Sequence, residues 1–225
     1  MSKFEDKLFE LKIRKSKQIL MDEIERQRSK IAIVWTTGRD STCLLYLMRD
    51  IYGKVPIPVL FPDTGFHFKE TYEFRDKIAK VLELHLINVR PTKSCDEVKP
   101  DRELCCHILR VEPVLRVMKE RKFKALVLPL RWSAPKTFME RHISKTSIDK
   151  IPLDFSTIEP IAHWTKKDVL RFTEERKIPL NSLYTKGYQS VFCKICKFHL
   201  PEEKEIYSTK DTKKIVKRLE NLGYF

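Results

Sequence analysis

Four short apolar runs, each joined to a stretch of helical period, set the fold class of this chain. The runs are KIAIVW (30–35), IPVLFPD (57–63), LHLINV (84–89) and KALVLPL (124–130). Helical patterns follow at Ser41–Ile51, at 68–82 with acids early and bases late, at 110–121 and at 165–179. Parallel neighbours need a long crossover and antiparallel ones do not, so this alternation predicts an α/β fold: a three-layer, mostly parallel sheet with helices on both faces. An N-terminal helix is expected over 4–28, with Phe4, Leu8 and Leu11 on its apolar side. Thr165 reads as the cap of the 165–179 helix, Asp168 as its capping-box acid, and Pro179 lies past its end. Residues 131–160 read as irregular. The spacing of Ile215, Leu219 and Leu222 predicts a helix in the tail.

At 225 residues the chain is long enough for one sizeable core. No apolar run approaches the ~18 residues of a membrane helix, and the charged start MSKFEDKLFELKIRKSKQ lacks a signal-peptide core. A cytoplasmic protein with no membrane partner is the expectation. The net charge of +14 favours anionic partners: nucleotides, sulfate, nucleic acid or an acidic protein. A merely solvated lysine-rich surface accounts for the same number. The six cysteines at 43, 95, 105, 106, 193 and 196 suggest metal or redox chemistry rather than a disulfide framework in such a chain.

The turn after the first run is WTTGRDST (35–42). A turn from strand into helix presents unpaired N–H groups and partial positive charge. Gly38 would let the backbone approach an anion, Ser41 and Thr42 would add hydroxyl donors, and Arg39 a planar cation. An ordinary capped turn reads the same way, and the order is not that of a Walker A loop. The stretch resembles the SGGKDST loop of the adenine-nucleotide alpha-hydrolase-like (PP-loop) superfamily. Gly38, Asp40, Ser41 and Thr42 match; Thr37 stands for the second-position Gly and Arg39 for Lys. The resemblance implies nucleotide binding by Thr36, Thr37, Gly38, Arg39, Asp40, Ser41 and Thr42.

Two longer stretches narrow the resemblance. DTGFHFKETYEF (63–74) and PIAHWTKKDVLRFTEERKIPLNSLYTKGYQSVFCKIC (160–196) are similar to segments of the sulfonucleotide (APS and PAPS) reductases. Together the matches span roughly residues 30–197. They add Asp63 and Thr64, at a strand end, to the nucleotide-binding set. Arg131 matches the first Arg of the family's substrate loop, and Arg141 is a looser match to the second.

The remaining chemistry lies in two cysteine pairs, Cys105-Cys106 and the CxxC of Cys193 and Cys196. Spacing alone leaves iron–sulfur and zinc both open. CCHILRVEPV (105–114) resembles the CCxxRKVEPL of the cluster-bearing branch, which implies a [4Fe-4S] cluster on Cys105, Cys106, Cys193 and Cys196. Arg110 stands where the family has Lys and would lie between cluster and substrate sulfate. Cys43 reads as a buried small hydrophobe and Cys95 as a surface thiol.

The resemblance implies a PAPS or APS reductase of 29–200, with an N-terminal helix (1–28) and a helical tail (201–225). The family's attacking Cys sits in an ECGLH segment, and residues 197–225 contain no cysteine. The catalytic residue is therefore left unassigned, and a thioredoxin-like protein or small thiol is the expected reductant. Two alternatives stay open: an ATP-dependent PP-loop sulfurtransferase acting on tRNA, for which the charge speaks, and a non-catalytic, cluster-bearing nucleotide-binding subunit. The choice among APS, PAPS and ATP, and homo-oligomer formation, stay open too.

Overall fold

The computed structural model describes residues 3–92, 105–133, 154–191 and 193–194. Arg141, Cys95, Cys196 and the expected tail helix lie outside the described residues.

The order of elements is α1 (Lys3–Gln27), β1 (Ile31–Val34), α2 (Arg39–Tyr52), β2 (Val59–Pro62), α3 (Lys69–Val81), β3 (Leu86–Val89), a π-helical turn (His107–Val111) running into α4 (Glu112–Glu120), β4 (Ala125–Val127), β5 (Ser156–Ile158) and α5 (Lys166–Glu175). The strands form one sheet in the order β3-β2-β1-β4-β5, and every pairing is parallel. The α/β expectation therefore holds. β5 is a strand that the sequence reading left irregular. It is three residues long, Ser-Thr-Ile, at the sheet edge, and only Ile158 is buried.

Strand alternation sorts the core into two layers, because successive side chains point to opposite faces. Ile31 and Ile33 of β1 join Val59, Ala125 and Val127 on the face covered by α1, α2, α3 and α5. Ala32 and Val34 join Leu60 and Leu126 on the face covered by α4. Each fully buried aliphatic side chain contributes about 1.5–3 kcal/mol of transfer free energy.

α1 lies on the first face with Leu20 buried and Ile19 and Ile24 packed on the core, as the later apolar positions of the helix suggest. Its N-terminal half, however, turns a different stripe inward from Phe4, Leu8 and Leu11. Phe9, Lys12, Ile13, Ser16 and Leu20 are its buried residues, whereas Phe4 is 68% exposed. The apolar spacing missed this stripe because two of its members are polar and partnered. Lys12 Nζ meets Asp168 Oδ2 at 2.6 Å. Ser16 Oγ donates to the Pro160 carbonyl at 2.7 Å and accepts from Trp164 Nε1 at 2.9 Å. The capping box of α5 is present as expected: Thr165 Oγ1 accepts from the Asp168 amide at 3.2 Å, and Asp168 Oδ2 accepts from the Thr165 amide at 2.7 Å.

Candidate functional site

Connections leave β1 for β2 and β3 on one side, while β4 and β5 lie on the other. In open parallel sheets ligands gather at such a switch point, beyond the carboxyl ends of the strands. The turn 35–42 lies there. Gly38 is the N-cap of α2 with an extended backbone, φ −74°. The left-handed position is Thr37, at φ 59°. Gly38 sits in a packed setting: a Cβ there would meet Thr36 Oγ1 at 3.4 Å, Tyr184 Oη at 3.8 Å and Ser41 Oγ at 3.9 Å, ordinary contact distances.

The hydroxyls expected to face an anion are engaged inside the turn. Ser41 Oγ donates to the Gly38 carbonyl at 3.0 Å, and Thr42 Oγ1 donates to the same oxygen at 2.8 Å. Thr42 also accepts from Trp35 Nε1 at 3.1 Å. Ser41 accepts from the Thr36 amide at 3.3 Å. These side chains shape the turn. In this structure both hydroxyls turn to the Gly38 carbonyl rather than outward.

Tyr184 is a member of the site that the sequence reading passed over. Its hydroxyl accepts the Arg39 amide at 3.1 Å, and the Arg39 guanidinium lies 4.4 Å above its ring. The segment carrying it is fixed by Asn181, fully buried, which accepts from the Leu183 amide at 3.0 Å. Lys186 pairs with Glu70, and the Phe68 and Tyr188 rings pack at a tilt with centroids 5.4 Å apart. The NSLYTKGY stretch thus packs against the 35–42 turn.

Arg131 lies just beyond β4. It is buried, and its Nε donates to Asp40 Oδ2 at 2.9 Å while Nη1 donates to Ser133 Oγ at 3.1 Å. The pair joins the β4 end to the turn across the switch point.

Asp63 ends β2 and lines a cavity of about 520 Å³ together with Thr64, Gly65, Tyr72, Arg75, Arg90 and Pro91. The cavity lies on the β2–β3 side of the anion turn. Asp63 Oδ1 accepts from Tyr72 Oη at 2.8 Å and from the Gly65 amide at 3.1 Å, and Oδ2 accepts from Arg90 Nε at 3.2 Å. Burial alone would raise its pKa, but these donors outweigh it and hold the carboxyl below the usual range. Tyr72 is pushed up to about 12 by its own burial and by Asp63.

The segment bearing Cys193 approaches the same strand end. Cys193 pairs with His67 in an antiparallel bridge, the Lys194 amide donates to the Phe66 carbonyl at 2.7 Å, and Cys193 Sγ lies 3.3 Å from Thr64 Oγ1. Cys105 and Cys106 open the helical segment that carries Arg110, about one turn beyond Cys106. His67 is buried; its Nε2 donates to the Pro62 carbonyl at 2.9 Å. Burial, aided by the nearby positive charge of Arg110, pushes its pKa down to about 4, so the imidazole is neutral at pH 7. His67 therefore stands beside the Cys193 segment. No feature of its sequence context had singled it out.

Cys105, Cys106 and Cys193 are partly exposed. Among the described residues, no three His, Cys, Asp or Glu side chains are gathered as a metal site. Cys196, the fourth cysteine of the expected set, lies outside them. The donor set of soft sulfur ligands, with Cys193 seated at the end of β2, fits an iron–sulfur group. Cys43 is fully buried, and burial pushes its thiol up to about 12, so it is inert as the sequence reading held. No helix among the described residues is long and apolar enough to cross a membrane.

The chain is similar to known proteins in sequence and in fold. The family model described as the phosphoadenosine phosphosulfate reductase domain matches residues 30–198. An adenosine 5'-phosphosulfate reductase of Chelativorans sp. (strain BNC1) is 32% identical over 185 residues, covering 76% of this chain and 70% of the relative. Adenosine 5'-phosphosulfate reductase 2 of Bacillus subtilis (strain 168) is 28% identical over 207 residues, covering 83% of this chain and 85% of the relative. The crystal structure of a phosphoadenylyl-sulfate (PAPS) reductase from Candida auris, a phosphate complex, has the same fold. Its TM-score is 0.62 at 19% identity, over 79% of this chain and 87% of that one.

Proposed function

The chain belongs to the phosphoadenosine phosphosulfate reductase family, and from that premise we propose that it reduces a sulfonucleotide, with adenosine 5'-phosphosulfate the first candidate because the curated relatives carry that name. It is an oxidoreductase of the sulfonucleotide reductase type. The turn of Thr36, Thr37, Gly38, Arg39, Asp40, Ser41 and Thr42 seats the charged tail of the nucleotide on the start of α2. Ser41 and Thr42 act by holding the turn in shape. Asp63 and Thr64 border the nucleotide at the end of β2. Arg131 acts through its pair with Asp40, and Arg110 and Arg141 supply charge toward the sulfate.

Cys105, Cys106, Cys193 and Cys196 would hold a [4Fe-4S] cluster, whose positive iron centres would polarise a neighbouring sulfate. This chain's own residues bind and orient the phosphosulfate and bring cations to it. Electrons come from a thiol reductant, either a thioredoxin-like protein or a small thiol. Two thiols are oxidised to one disulfide, the sulfur–oxygen bond to the nucleotide breaks, and sulfite and AMP leave. The observation that carries this reading is the Cys193–His67 bridge one short turn from Asp63. It supports a redox cofactor and a nucleotide site at one end of the sheet.

The test is anaerobic purification, iron and sulfide analysis, and incubation with APS, PAPS or ATP plus thioredoxin or dithiothreitol. The reading expects iron and sulfide in the 1:1 ratio of a [4Fe-4S] cluster and sulfite from one of the two sulfonucleotides. Release of pyrophosphate from ATP upon addition of tRNA, with no sulfite from either sulfonucleotide, would replace it with the sulfurtransferase reading.

A further inference from the structure

Thr37 is a β-branched residue in the left-handed region, φ 59°, where sterics disfavour branched side chains and glycine sits without penalty. Its side chain is almost wholly enclosed, at 1% exposure. Its Oγ1 has no hydrogen-bond partner among the described residues. The hydroxyls around it are partnered: Thr42 and Ser41 to Gly38, Thr36 beside Ser41 at 3.4 Å, Tyr184 to the Arg39 amide. On the other side of Gly38, Arg39 Nε is likewise buried without a partner among the described residues. Two unsatisfied groups able to donate therefore flank one glycine at the mouth of a helix N-terminus.

An enclosed hydroxyl left without a partner weakens a fold, and native proteins carry few of them. A left-handed threonine weakens it again. Neither is needed to make the turn, since glycine would adopt the same backbone. We propose that Thr37 Oγ1 is a reserved donor for the tetrahedral oxyanion, phosphoryl or sulfuryl, that the turn seats, with Arg39 Nε as its companion. The empty turn is held below its attainable stability, and ligand binding satisfies both groups at once. This inference rests on the nucleotide-binding role proposed above and adds a ligand contact that a glycine at position 37 could not make.

Thr37→Val tests it, because valine keeps the branched shape and deletes only the hydroxyl. The readouts are the melting temperature of the ligand-free protein and dissociation constants for ATP, APS and inorganic sulfate by calorimetry. The expected result is a melting temperature equal to or above wild type, with affinity for at least the two nucleotides reduced about tenfold, as for a lost hydrogen bond to a charged group. Thr37→Ser should bind within about twofold of wild type, since the donor returns. A lower melting temperature for the empty valine variant would mean that the hydroxyl has a structural partner, and would overturn the proposal. So would unchanged nucleotide affinity in that variant. Wild-type protein that binds ATP yet reduces neither APS nor PAPS would remove the reductase function and leave Thr37 standing. Wild-type protein that reduces APS, with valine binding it equally well, would remove the Thr37 role alone. Wild-type protein that binds none of the three would overturn both.

Discussion

Replacing Asp168 by alanine should destabilise the protein far more than replacing its partner Lys12 by methionine. The two side chains are 8% (Lys12) and 14% (Asp168) exposed, and they meet at 2.6 Å. Asp168 Oδ2 also accepts from the Thr165 amide at 2.7 Å and from Thr165 Oγ1 at 2.9 Å. Asp168→Ala strands a buried ammonium, which costs about 3–5 kcal/mol when a pair is fully enclosed. It also opens the capping box of α5, worth about 1 kcal/mol. Because Asp168 keeps some solvent contact, the sum is discounted to about 3 kcal/mol. For a chain of this size that lowers Tm by roughly 6–12 °C. In Lys12→Met the carboxylate keeps both Thr165 donors and the methionine fills the stem's volume, so the loss should be about 0–1 kcal/mol. Urea and thermal unfolding followed by circular dichroism measure both. The double variant should recover part of the Asp168→Ala loss. A Lys12→Met variant as unstable as Asp168→Ala would refute the reasoning, because it would make the attraction of the pair, rather than the stranded charge, the larger effect.

Other outcomes follow from single sites. His163 is buried, and burial holds its pKa down at about 4, below the ~6.5 of an unfolded histidine. The unfolded chain then binds more protons, so stability is complete above pH 6.5 and falls as pH drops toward 4, by up to about 3 kcal/mol. Urea titrations of His163→Asn should show a shallower fall over that window, and an equal slope would contradict this. Iodoacetamide at pH 8 should leave Cys43 unmodified in the native protein and alkylate it in urea, read by mass spectrometry, since its thiol is pushed up to about 12 by burial. Native-state labelling would contradict its enclosure. Tyr184→Phe keeps the ring beneath Arg39 and deletes the acceptor of the Arg39 amide. Nucleotide affinity measured by calorimetry should fall roughly 3–10-fold, the worth of one hydrogen bond, and no change would remove Tyr184 from the site.

The central strands were legible because they are buried on both faces and read as unbroken apolar runs. Ile31–Val34 and Val59–Pro62 are buried at every position. β5 escaped because an edge strand of Ser-Thr-Ile has no such run. Part of the face of α1 escaped for the opposite reason: Lys12 and Ser16 look solvated in sequence, and only partners about 150 residues away bury them. At the site, residue types and positions were readable but directions were not. Ser41 and Thr42 were recognised, yet whether a hydroxyl turns toward a ligand or toward the Gly38 carbonyl depends on the turn's dihedrals. Tyr184, His67, and the Tyr72 and Arg90 contacts to Asp63 are products of tertiary packing. Thr37 was visible as a departure from the glycine of the resembled loop; its enclosure and missing partner were not.

The measurement that bears most directly on the account is a single-turnover reaction of anaerobically purified protein with sulfur-labelled APS, a thiol donor present, and labelled products separated by charge. The account predicts labelled sulfite and AMP in equal amounts, with one disulfide formed for each. Labelled sulfate with AMP, or unchanged APS from protein that carries its full complement of iron and sulfide, would contradict it.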